Sequence, residues 1–358
     1  MNILFVSLEE SGKKISCKIL EKLSLQNISH TYYTFGLDDN FSSNIIDINN
    51  IKIKPLMGFF EVIKNVRYIY KLRSHLISQV QKFNIEYIFF IDSFDFSKFF
   101  YNKFNKIKCS QIVGPSVFIW KKKKAKYIND NFDKLFSIFL ADKQYYDPHI
   151  YSYIGHPLSS NIVNRNLKTH SIKNIGIFLG SRDQEFFNNF KIISNFINIS
   201  SDNFNYIFFT LSKYKRFIDD HYSQNPKIKV IINDKNYYVN ISKIDFALAC
   251  SGTVHLELSL SRIPHLIFYK TNFLNALFFK IFIKIKFISL LNIFSGREIV
   301  KEFFHNDFNP KSINSYLKSV NNEKELNSLS NDLEENIKIN NINFFDLKPI
   351  FDHLKKFS

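Results

Sequence analysis

The sequence predicts an α/β protein with two doubly wound domains, each built on a parallel sheet. The chain has 358 residues, more than the roughly 250 to 300 at which a single hydrophobic core usually stops growing. Hydrophobic residues make up 45% of it and charged residues 22%, a balance typical of folded chains and unlike disordered ones. Short β-branched and aromatic runs alternate with longer helical patterns through residues 1–300, which indicates βαβ units.

The first half of the chain contains predicted strands separated by helical patterns. The longest helical pattern covers about residues 58–83, where apolar residues such as Val62 and Val66 recur at helical spacing. The polar residues 157–173 lack a sustained period and form the predicted linker, so we place the end of the first domain at residue 165. The strands are expected over residues 3–7, 32–35, 87–91, 110–113, 135–139 and 151–154.

The second half shows the same alternation and forms the second predicted domain, residues 166–340. After Arg297 the pattern becomes wholly helical, and it ends in an amphipathic segment near residues 344–354. We see no internal repeat of fixed period. The strands are expected over residues 175–179, 206–210, 229–232, 246–249 and 266–269, with a further short run over 287–290.

Composition narrows the functional classes. The formal net charge of +16 suits an anionic partner, although part of it reflects a chain-wide use of Lys, Asn, Ile and Phe. Cys17, Cys109 and Cys250 are far apart and form no Cys-x-x-Cys pair, which argues against a disulfide framework or a thiolate metal site. The apolar run 3–6 has no basic residues before it and is soon followed by two glutamates, unlike a signal peptide.

Polar turns follow two predicted strands of the first half, at the strand ends where doubly wound sheets bind ligands. The turn over residues 7–12 is small and contains a glycine, so it can offer backbone N–H groups to an anion or a sugar; a plain turn is the alternative. Asp92 comes directly after a very apolar strand, where a carboxylate can act as a general base or be a satisfied loop residue. Asp95 is explained as the N-cap of the next helix.

Two turns of the second half fit a nucleoside diphosphate. The turn Gly180-Ser181-Arg182 offers backbone donors and the guanidinium fork, with a solvated surface arginine as the alternative. The strongest pattern begins at Ser251, because Gly252 lets a ligand approach the backbone and Thr253 begins a helix whose dipole favours phosphate. Glu257 lies one turn along the same helix face, at a spacing that suits ribose hydroxyls.

Other residues of the second half have weaker assignments. His255 is assigned to packing, and Asn292 fits either a base or sugar contact or a turn. None of the ten histidines pairs with carboxylates at metal-ligand spacing, so the sequence predicts no metal site. Because neither a Walker-type loop nor a Gly-x-Gly-x-x-Gly motif occurs, nucleotide-dependent phosphoryl transfer and dinucleotide redox chemistry gain no support.

Two sequence features concern the surface. The first is the basic run Lys121-Lys122-Lys123-Lys124. Lysine runs of this kind usually form a solvated face. The apolar stretch 273–291 is interrupted by Lys280, Lys284 and Lys286, so no run approaches the roughly 20 apolar residues of a spanning helix. A core helix is one explanation of this stretch, and a helix in an anionic lipid interface is the other. Any membrane contact is therefore expected to be peripheral.

These motifs, in this order, resemble those of lipid-A-disaccharide synthases over residues 7–310. Each motif is weak alone, and their shared order makes the likeness specific. The chain departs from the family pattern at Lys13, Leu179, Phe118 and Leu291. The matching segments are Glu9-Glu10-Ser11-Gly12, Met57-Gly58-Phe59-Phe60-Glu61-Val62, Ile91-Asp92-Ser93-Phe94-Asp95-Phe96, Pro115-Ser116-Val117-Phe118-Ile119-Trp120, Ile154-Gly155-His156-Pro157, Gly180-Ser181-Arg182, Ser251-Gly252-Thr253 with Glu257, and Leu290-Leu291-Asn292 with Gly296-Arg297-Glu298.

The resemblance implies a GT-B fold, in which two Rossmann-like doubly wound domains face each other across a cleft. Residues 1–165 would form the acceptor-side domain, joined by a C-terminal helix at about 341–358, and residues 166–340 would bind the UDP-linked donor. By the same likeness Asp92 is the catalytic base. The expected donor-site residues are Arg182, Ser251, Gly252, Thr253, Glu257 and Asn292, and the expected acceptor-side residues are Glu10, Ser11, Gly12, Met57 and Ser116.

The implied activity is that of an inverting, metal-independent hexosyltransferase without a cofactor. It would move 2,3-diacylglucosamine from UDP-2,3-diacylglucosamine to 2,3-diacylglucosamine 1-phosphate, giving lipid A disaccharide 1-phosphate and UDP, in the biosynthesis of lipopolysaccharide. The resemblance places this reaction at an anionic membrane surface, on the cytoplasmic face of the inner membrane of a Gram-negative-type bacterium. Nucleic acid is not an expected partner, and a homodimer stays open.

Two other classes fit parts of the pattern. A UDP-sugar 2-epimerase shares the paired domains and a similar donor turn, but it has no need of apolar surface segments. A non-catalytic basic module would bind nucleic acid or membrane; against it, the polar residues fall at strand ends and not along a basic stripe interleaved with aromatics.

Overall fold

Parallel strands and connecting helices build two units of the chain in the computed structural model. The first unit comprises Met1–Pro157 and Phe344–Ser358, and the second comprises Leu158–Asn343. Within the residues that the structure describes, no helix is long and apolar enough to cross a membrane. The described residues are 1–25, 30–37, 45–49, 51, 53, 66–103, 107–115, 122–161, 170–200, 204–232, 237–270 and 286–357.

The first unit contains an all-parallel sheet with the strand order β3-β2-β1-β4-β5-β6-β7. Helix α1 packs on one face of this sheet, and helices α2 to α4 pack on the other. The strands are β1 (Asn2–Ser7), β2 (Thr31–Phe35), β3 (Ile45–Asp47), β4 (Tyr87–Ile91), β5 (Lys108–Ile112), β6 (Lys134–Ser137) and β7 (Tyr151–Tyr153), and the helices are α1 (Glu10–Ser24), α2 (Val66–Lys82), α3 (Phe94–Lys103) and α4 (Lys122–Asn131).

The second unit contains a parallel sheet with the order β10-β9-β8-β11-β12-β13, which is the Rossmann order. The strands are β8 (Asn174–Phe178), β9 (Asn205–Thr210), β10 (Ile228–Ile232), β11 (Phe246–Cys250), β12 (His265–Tyr269) and β13 (Lys301–Phe304). The helices are α5 (Asp183–Ile199), α6 (Ser212–His221), α7 (Tyr237–Ile241), α8 (Val254–Leu260), α9 (Leu290–Ser295), α10 (Pro310–Val320) and α11 (Glu323–Ile339). These two sheets confirm the predicted α/β class with doubly wound domains.

Both sheets are covered on two faces, so their central strands are almost wholly apolar. Every residue of β4 and of β11 is buried. Aromatic rings on neighbouring strands stack within the same layer, Phe5 on Phe89 at 5.0 Å and Phe178 on Phe209 at 4.7 Å. Such ring pairs contribute about 0.5–1.5 kcal/mol each beyond the area they bury, so these two pairs help to stabilise the pairing of β1 with β4 and of β8 with β9.

Two predictions about the last part of the second unit are wrong. Residues 287–290 form no strand; helix α9 begins there instead. The region after Arg297 is not wholly helical, because β13 follows and pairs with β12. Charged side chains in β13 hid its strand character, since only one of its four residues is buried. In the first unit the short strand β3 was not predicted. Of the helix predicted over about residues 58–83, the structure describes α2 (Val66–Lys82), and residues 58–65 lie outside the described part of the chain.

The helices after β13 begin at local capping signals. Asn309 accepts a hydrogen bond from the N–H of Ser312 at 3.0 Å, and Pro310 occupies the first turn of α10. Asn322 caps α11 in the same way, accepting from the N–H of Glu325 at 3.0 Å. A capping asparagine contributes about 1 kcal/mol, so these helices start where the sequence sets them.

The C-terminal residues Phe344–Ser358 pack on the first unit through helix α12 (Lys348–Leu354). The Nε2 atom of His353 lies 2.7 Å from the hydroxyl of Tyr87, which in turn lies 2.6 Å from the hydroxyl of Ser110. Burial lowers the pKa of His353 to about 4, so the ring is neutral at pH 7. The neutral ring, Tyr87 and Ser110 form a buried hydrogen-bond chain that joins α12 to β4 and β5.

Candidate functional site

The switch point of the first unit lies between the neighbouring strands β1 and β4. Ser7 at the end of β1 is paired with Ile91 at the end of β4, so the turns that follow both strands meet at the carboxyl edge of the sheet. Gly12 permits this closeness, because a Cβ atom there would lie 3.1 Å from the carbonyl oxygen of Ile91. The predicted residues Ser11, Gly12 and Asp92 are thereby brought together.

The carboxylate of Asp92 is half-buried and held through both of its oxygens. The hydroxyl of Ser11 donates to Oδ2 at 2.8 Å, and the backbone N–H of Ser93 donates to Oδ1 at 2.9 Å. A carboxylate oxygen can accept two hydrogen bonds, so each of these atoms keeps capacity for a substrate hydroxyl. Asp92 is therefore oriented by the protein and remains able to accept a proton.

The turn that carries Asp92 has a strained backbone, and a buried glutamine side chain forms hydrogen bonds with its carbonyl groups. Asp92 and Ser93 have φ values of 60° and 46°, in the left-handed region that few residues other than glycine adopt. Gln111 of β5 is fully buried, and its Nε2 donates to the carbonyls of Asp92 at 2.8 Å and Val113 at 3.0 Å. Its Oε1 accepts from the hydroxyl of Ser97 at 2.8 Å. Gln111 thus holds the turn in place, a role that sequence reasoning missed.

Glu9 is a second carboxylate at this edge, and sequence reasoning missed it too. The hydroxyl of Ser93 donates to Glu9 Oε1 at 2.8 Å. Burial raises the pKa of Glu9, the charge of Asp92 raises it further, and the hydrogen bond from Ser93 opposes both. The predicted Glu10 begins α1, and its side chain lies outside the described part of the chain. The motif includes Glu9, but its spacing alone does not predict the contact between Glu9 and Ser93.

The switch point of the second unit lies between β8 and β11, which are paired through Phe178 and Ala249. Gly180 follows β8 with a φ of +97°, a conformation that favours glycine. A Cβ atom on Gly180 would lie 3.4 Å from the sulfur of Cys250, the residue before Ser251. The structure therefore brings the two predicted diphosphate turns together at one sheet edge.

The side chains of these turns face outward to different degrees. The Nη1 atom of Arg182 donates to Glu185 Oε1 at 2.9 Å, and the arginine side chain is 49% exposed. Gly252 and Thr253 are exposed, and a Cβ atom on Gly252 would meet no described atom within 4 Å. Ser251 is anchored by its backbone N–H, which donates to a carbonyl of β12 at 2.8 Å. Within the described residues the space beside Gly252 is open, and an anion at Arg182 would compete with Glu185.

Glu257 lies on α8 and is tied to a tyrosine of another helix. The hydroxyl of Tyr237 in α7 donates to Glu257 Oε2 at 2.9 Å. Burial raises the pKa of Tyr237 above its ordinary range, and the charge of Glu257 raises it further, so the phenol stays protonated and keeps donating. Tyr237 thereby orients the carboxylate. It was not predicted, because nothing in the sequence links the two helices.

Asn292 lies inside the second unit and does not face an open sheet edge. Its side chain is fully buried, and its Nδ2 donates to the carbonyl of Val300 and to Glu302 Oε1, both at 2.7 Å. Its Oδ1 accepts from the N–H groups of Ile299 at 2.7 Å and Val300 at 2.9 Å. Glu302 also accepts from the N–H of Ser289 at 2.8 Å. These bonds use the full capacity of the Asn292 amide to join α9 to β13.

Several predicted features fall outside the described residues. Met57 and Ser116 of the acceptor side are among them. The apolar stretch with its lysines also lies largely there, since residues 271–285 are not described. These assignments stay predictions from the sequence.

Comparison with known proteins shows which family the chain is similar to. A family model described as lipid-A-disaccharide synthetase matches residues 3–344. A lipid-A-disaccharide synthase of Wigglesworthia glossinidia brevipalpis is 27% identical over 361 residues, covering 90% of each chain. A lipid-A-disaccharide synthase of Rickettsia prowazekii is 27% identical over 350 residues, covering 91% of each chain. The family match spans both switch points.

Solved structures share the architecture at much lower identity. Sucrose-phosphate synthase from Thermosynechococcus elongatus has a TM-score of 0.56 and 11% identity, covering 100% of this chain and 98% of that one. MurG from Acinetobacter baumannii has a TM-score of 0.57 and 9% identity, covering 99% of each chain. UDP-GlcNAc 2-epimerase from Neisseria meningitidis has a TM-score of 0.54 and 13% identity, covering 95% and 99%. At these identities the likeness shows the GT-B fold alone.

Proposed function

The chain belongs to the lipid-A-disaccharide synthetase family, and from that premise we propose that its two switch points divide one glycosyl transfer between them. The protein is a hexosyltransferase of lipid A biosynthesis that acts on a UDP-sugar donor and a sugar-phosphate acceptor. It joins 2,3-diacylglucosamine from the UDP-linked donor to 2,3-diacylglucosamine 1-phosphate and releases UDP. In this proposal the first unit removes the proton of the acceptor hydroxyl, and the second unit binds the diphosphate.

The observation that carries this proposal is the anchoring of Asp92. In the proposed step the acceptor 6-hydroxyl oxygen attacks the anomeric carbon of the donor, its proton passes to Asp92, and the bond from that carbon to the diphosphate oxygen breaks. Ser11 and Ser93 hold the carboxylate while leaving it able to accept that proton.

The donor half of the proposal rests on the adjacent turns of the second unit. Arg182 would bind the diphosphate through its guanidinium fork, and the Ser251–Thr253 turn would add backbone N–H donors. Glu257, oriented by Tyr237, would accept hydrogen bonds from the ribose hydroxyls. Because Asn292 is buried and bonded internally, we give it the role of holding α9 and β13 together and no contact with the donor.

Incubation with UDP-2,3-diacylglucosamine tests this function directly. With 2,3-diacylglucosamine 1-phosphate present, we expect a disaccharide 1-phosphate and one UDP for each transfer. Without acceptor, we expect the donor to stay intact. An epimerised sugar formed without acceptor would make the chain a UDP-sugar 2-epimerase, and an unchanged donor in both reactions would contradict transferase activity.

Replacing Glu257 with alanine is expected to weaken UDP binding by roughly 1–3 kcal/mol, the usual cost of losing a charge-assisted hydrogen bond. Isothermal calorimetry with UDP measures this change. Glu298→Ala is the matched control, because Glu298 is a glutamate of the same unit that pairs with Lys301 at 3.2 Å and has no proposed ligand contact. Equal UDP affinity for the folded Glu257 variant and the parent would move the ribose contact away from α8.

We further propose that the protein works on the cytoplasmic face of the inner membrane, attached through the apolar residues 273–286. Phe273, Phe278 and Phe282 supply apolar surface there, while Lys280 and Lys284 supply positive charge. A helix of this composition binds an anionic interface through both terms. The support is the sequence pattern, since most of the stretch lies outside the described residues.

Binding to phosphatidylglycerol-containing vesicles is expected to fall as salt rises from 0.05 to about 0.5 M, because screening removes the electrostatic term. Co-sedimentation measures it. The double charge reversal Lys280→Glu and Lys284→Glu should lower the bound fraction, whereas neutral vesicles should retain little of either protein. Equal recovery in the supernatant with and without anionic lipid would rule out this attachment.

A further inference from the structure

We propose that His255 is a positioning residue for the donor turn: it holds the Gly252 carbonyl inward and thereby aims the Thr253 N–H at the diphosphate. The inference deepens the proposed function and rests on its donor site. The sequence had assigned His255 to packing, and its side chain is indeed 4% exposed. Packing does not account for what its ring nitrogens do.

Within the described part of the chain, the ring of His255 is hydrogen-bonded through one of its two nitrogens. Its Nδ1 makes a short hydrogen bond with the carbonyl oxygen of Gly252. A carbonyl oxygen only accepts, so Nδ1 carries the proton and donates. Burial lowers the pKa of His255, so the ring is neutral and Nε2 holds a bare lone pair. Among the described residues Nε2 has no hydrogen-bond partner.

This arrangement fixes the direction of one peptide group. In a planar trans peptide the C=O and the following N–H point to opposite sides. With the Gly252 carbonyl held toward the buried ring, the N–H of Thr253 points away from it. Gly252 and Thr253 are themselves exposed, and a Cβ atom on Gly252 would meet no atom of the described residues within 4 Å. The N–H is therefore presented where a ligand has room to approach.

An apolar residue would serve a purely structural role better than histidine does. A leucine at this position of α8 would pack in the same surroundings without burying an unsatisfied ring nitrogen, which is unfavourable. The hydrogen bond to Gly252 is what leucine could not supply. Preorganised backbone donors stabilise developing negative charge without having to reorient, which is the contribution that departing UDP requires.

Two amide substitutions distinguish the effect of the His255 hydrogen-bond donor from the effect of the volume of its ring. Asparagine places its Nδ2 donor on the same carbon as the Nδ1 of histidine, whereas glutamine places its donor one bond further out. We therefore expect His255→Asn to keep UDP affinity within about threefold of the parent and His255→Gln to lose about tenfold, the worth of one oriented hydrogen bond. Calorimetry with UDP measures both. A packing role predicts the reverse order, because the longer glutamine fills more of the ring's volume.

Thr253→Pro tests the same N–H without touching His255. The backbone φ of Thr253 is -63°, which proline adopts, and a proline there removes the N–H that the proposal uses. We expect a loss of about tenfold in UDP affinity, while Thr253→Ala keeps the N–H and loses less. Adding His255→Gln to Thr253→Pro should cause no further loss, because both changes act through one donor. Additive losses would overturn the proposal.

His265→Gln is the matched control. His265 is 3% exposed, its Nδ1 bonds the carbonyl of Ile263, and its Nε2 also lacks a partner within the described chain. Its substitution should lower the melting temperature and leave UDP affinity unchanged. If Glu257→Ala fails to weaken UDP binding, the donor site itself is wrong and this inference fails with it. If Glu257→Ala weakens binding and His255→Gln does not, the inference alone is overturned.

Discussion

Replacing Asp92 with asparagine is expected to lower kcat by roughly 100-fold or more, the range that a general base contributes. Asparagine keeps the shape of the side chain, and its oxygen can still accept from Ser11 or Ser93. It cannot take the proton of the acceptor hydroxyl. UDP affinity should barely change, because the proposed diphosphate contacts belong to the second unit. The measurement compares kcat with UDP binding on the same preparation, with circular dichroism as a check of the fold.

Asp95→Asn is the matched control for this experiment. Asp95 is three residues further along the same segment, pairs with Lys124 at 2.9 Å and has a side chain that is 78% exposed. Its substitution removes the same charge and should leave kcat near the parental value. A near-parental rate for Asp92→Asn would make Asp92 a structural carboxylate. Glu9→Gln would then be the next variant to measure, since Glu9 is the neighbouring carboxylate at that edge.

The sequence predicted that polar turns lie at the carboxyl edges of the sheets, because doubly wound topology fixes where strand ends meet. Asp92 and Ser11 are far apart in the chain, yet each was predicted to follow a strand, and the structure makes those two strands neighbours. The same reasoning brought Arg182 and Gly252 together in the second unit. The motifs at strand ends were therefore readable without knowing any distance.

The supporting residues could not be predicted in the same way. Gln111 holds the Asp92 turn through hydrogen bonds to backbone carbonyls. No residue pattern in the sequence predicts that a side chain will form a hydrogen bond with a distant backbone group. Tyr237 meets Glu257 through the packing of two short helices, which depends on tertiary structure. Asn292 matched a family motif, but the motif did not reveal that its amide faces inward. The sequence does show that these polar residues occur within apolar strands and helices. That pattern indicates that their side chains are buried, but it does not identify their hydrogen-bond partners.

Asp142 gives the first unit a stability that falls as pH rises. It lies in the 3-10 turn Leu140–Tyr145 after β6 and is 1% exposed. The hydroxyl of Ser137 donates to its Oδ2 at 2.7 Å, while Oδ1 has no partner among the described residues. Burial raises the pKa of Asp142 from 3.8 to about 7, and the bond from Ser137 opposes this only in part. The folded chain therefore keeps a proton that the unfolded chain releases.

The sign follows from those two pKa values. Below pH 3.8 both states are protonated, and Asp142 imposes no cost on folding. As pH rises from 3.8 to about 7 the unfolded state ionises first, so the free energy of unfolding decreases, by about 1.4 kcal/mol for each pH unit. Above pH 7 the loss is complete at something on the order of 4 kcal/mol.

Replacing Asp142 with asparagine is expected to abolish this dependence, because the amide does not titrate. The variant should gain on the parent by up to roughly 4 kcal/mol between pH 4 and pH 8, while any constant cost of the substitution affects both pH values equally. Urea unfolding at each pH, followed by far-UV circular dichroism, measures it. Asp130→Asn, at an exposed carboxylate of α4, controls for the loss of one negative charge. Parallel pH curves for the parent and Asp142→Asn would show that Asp142 is already ionised in the folded protein.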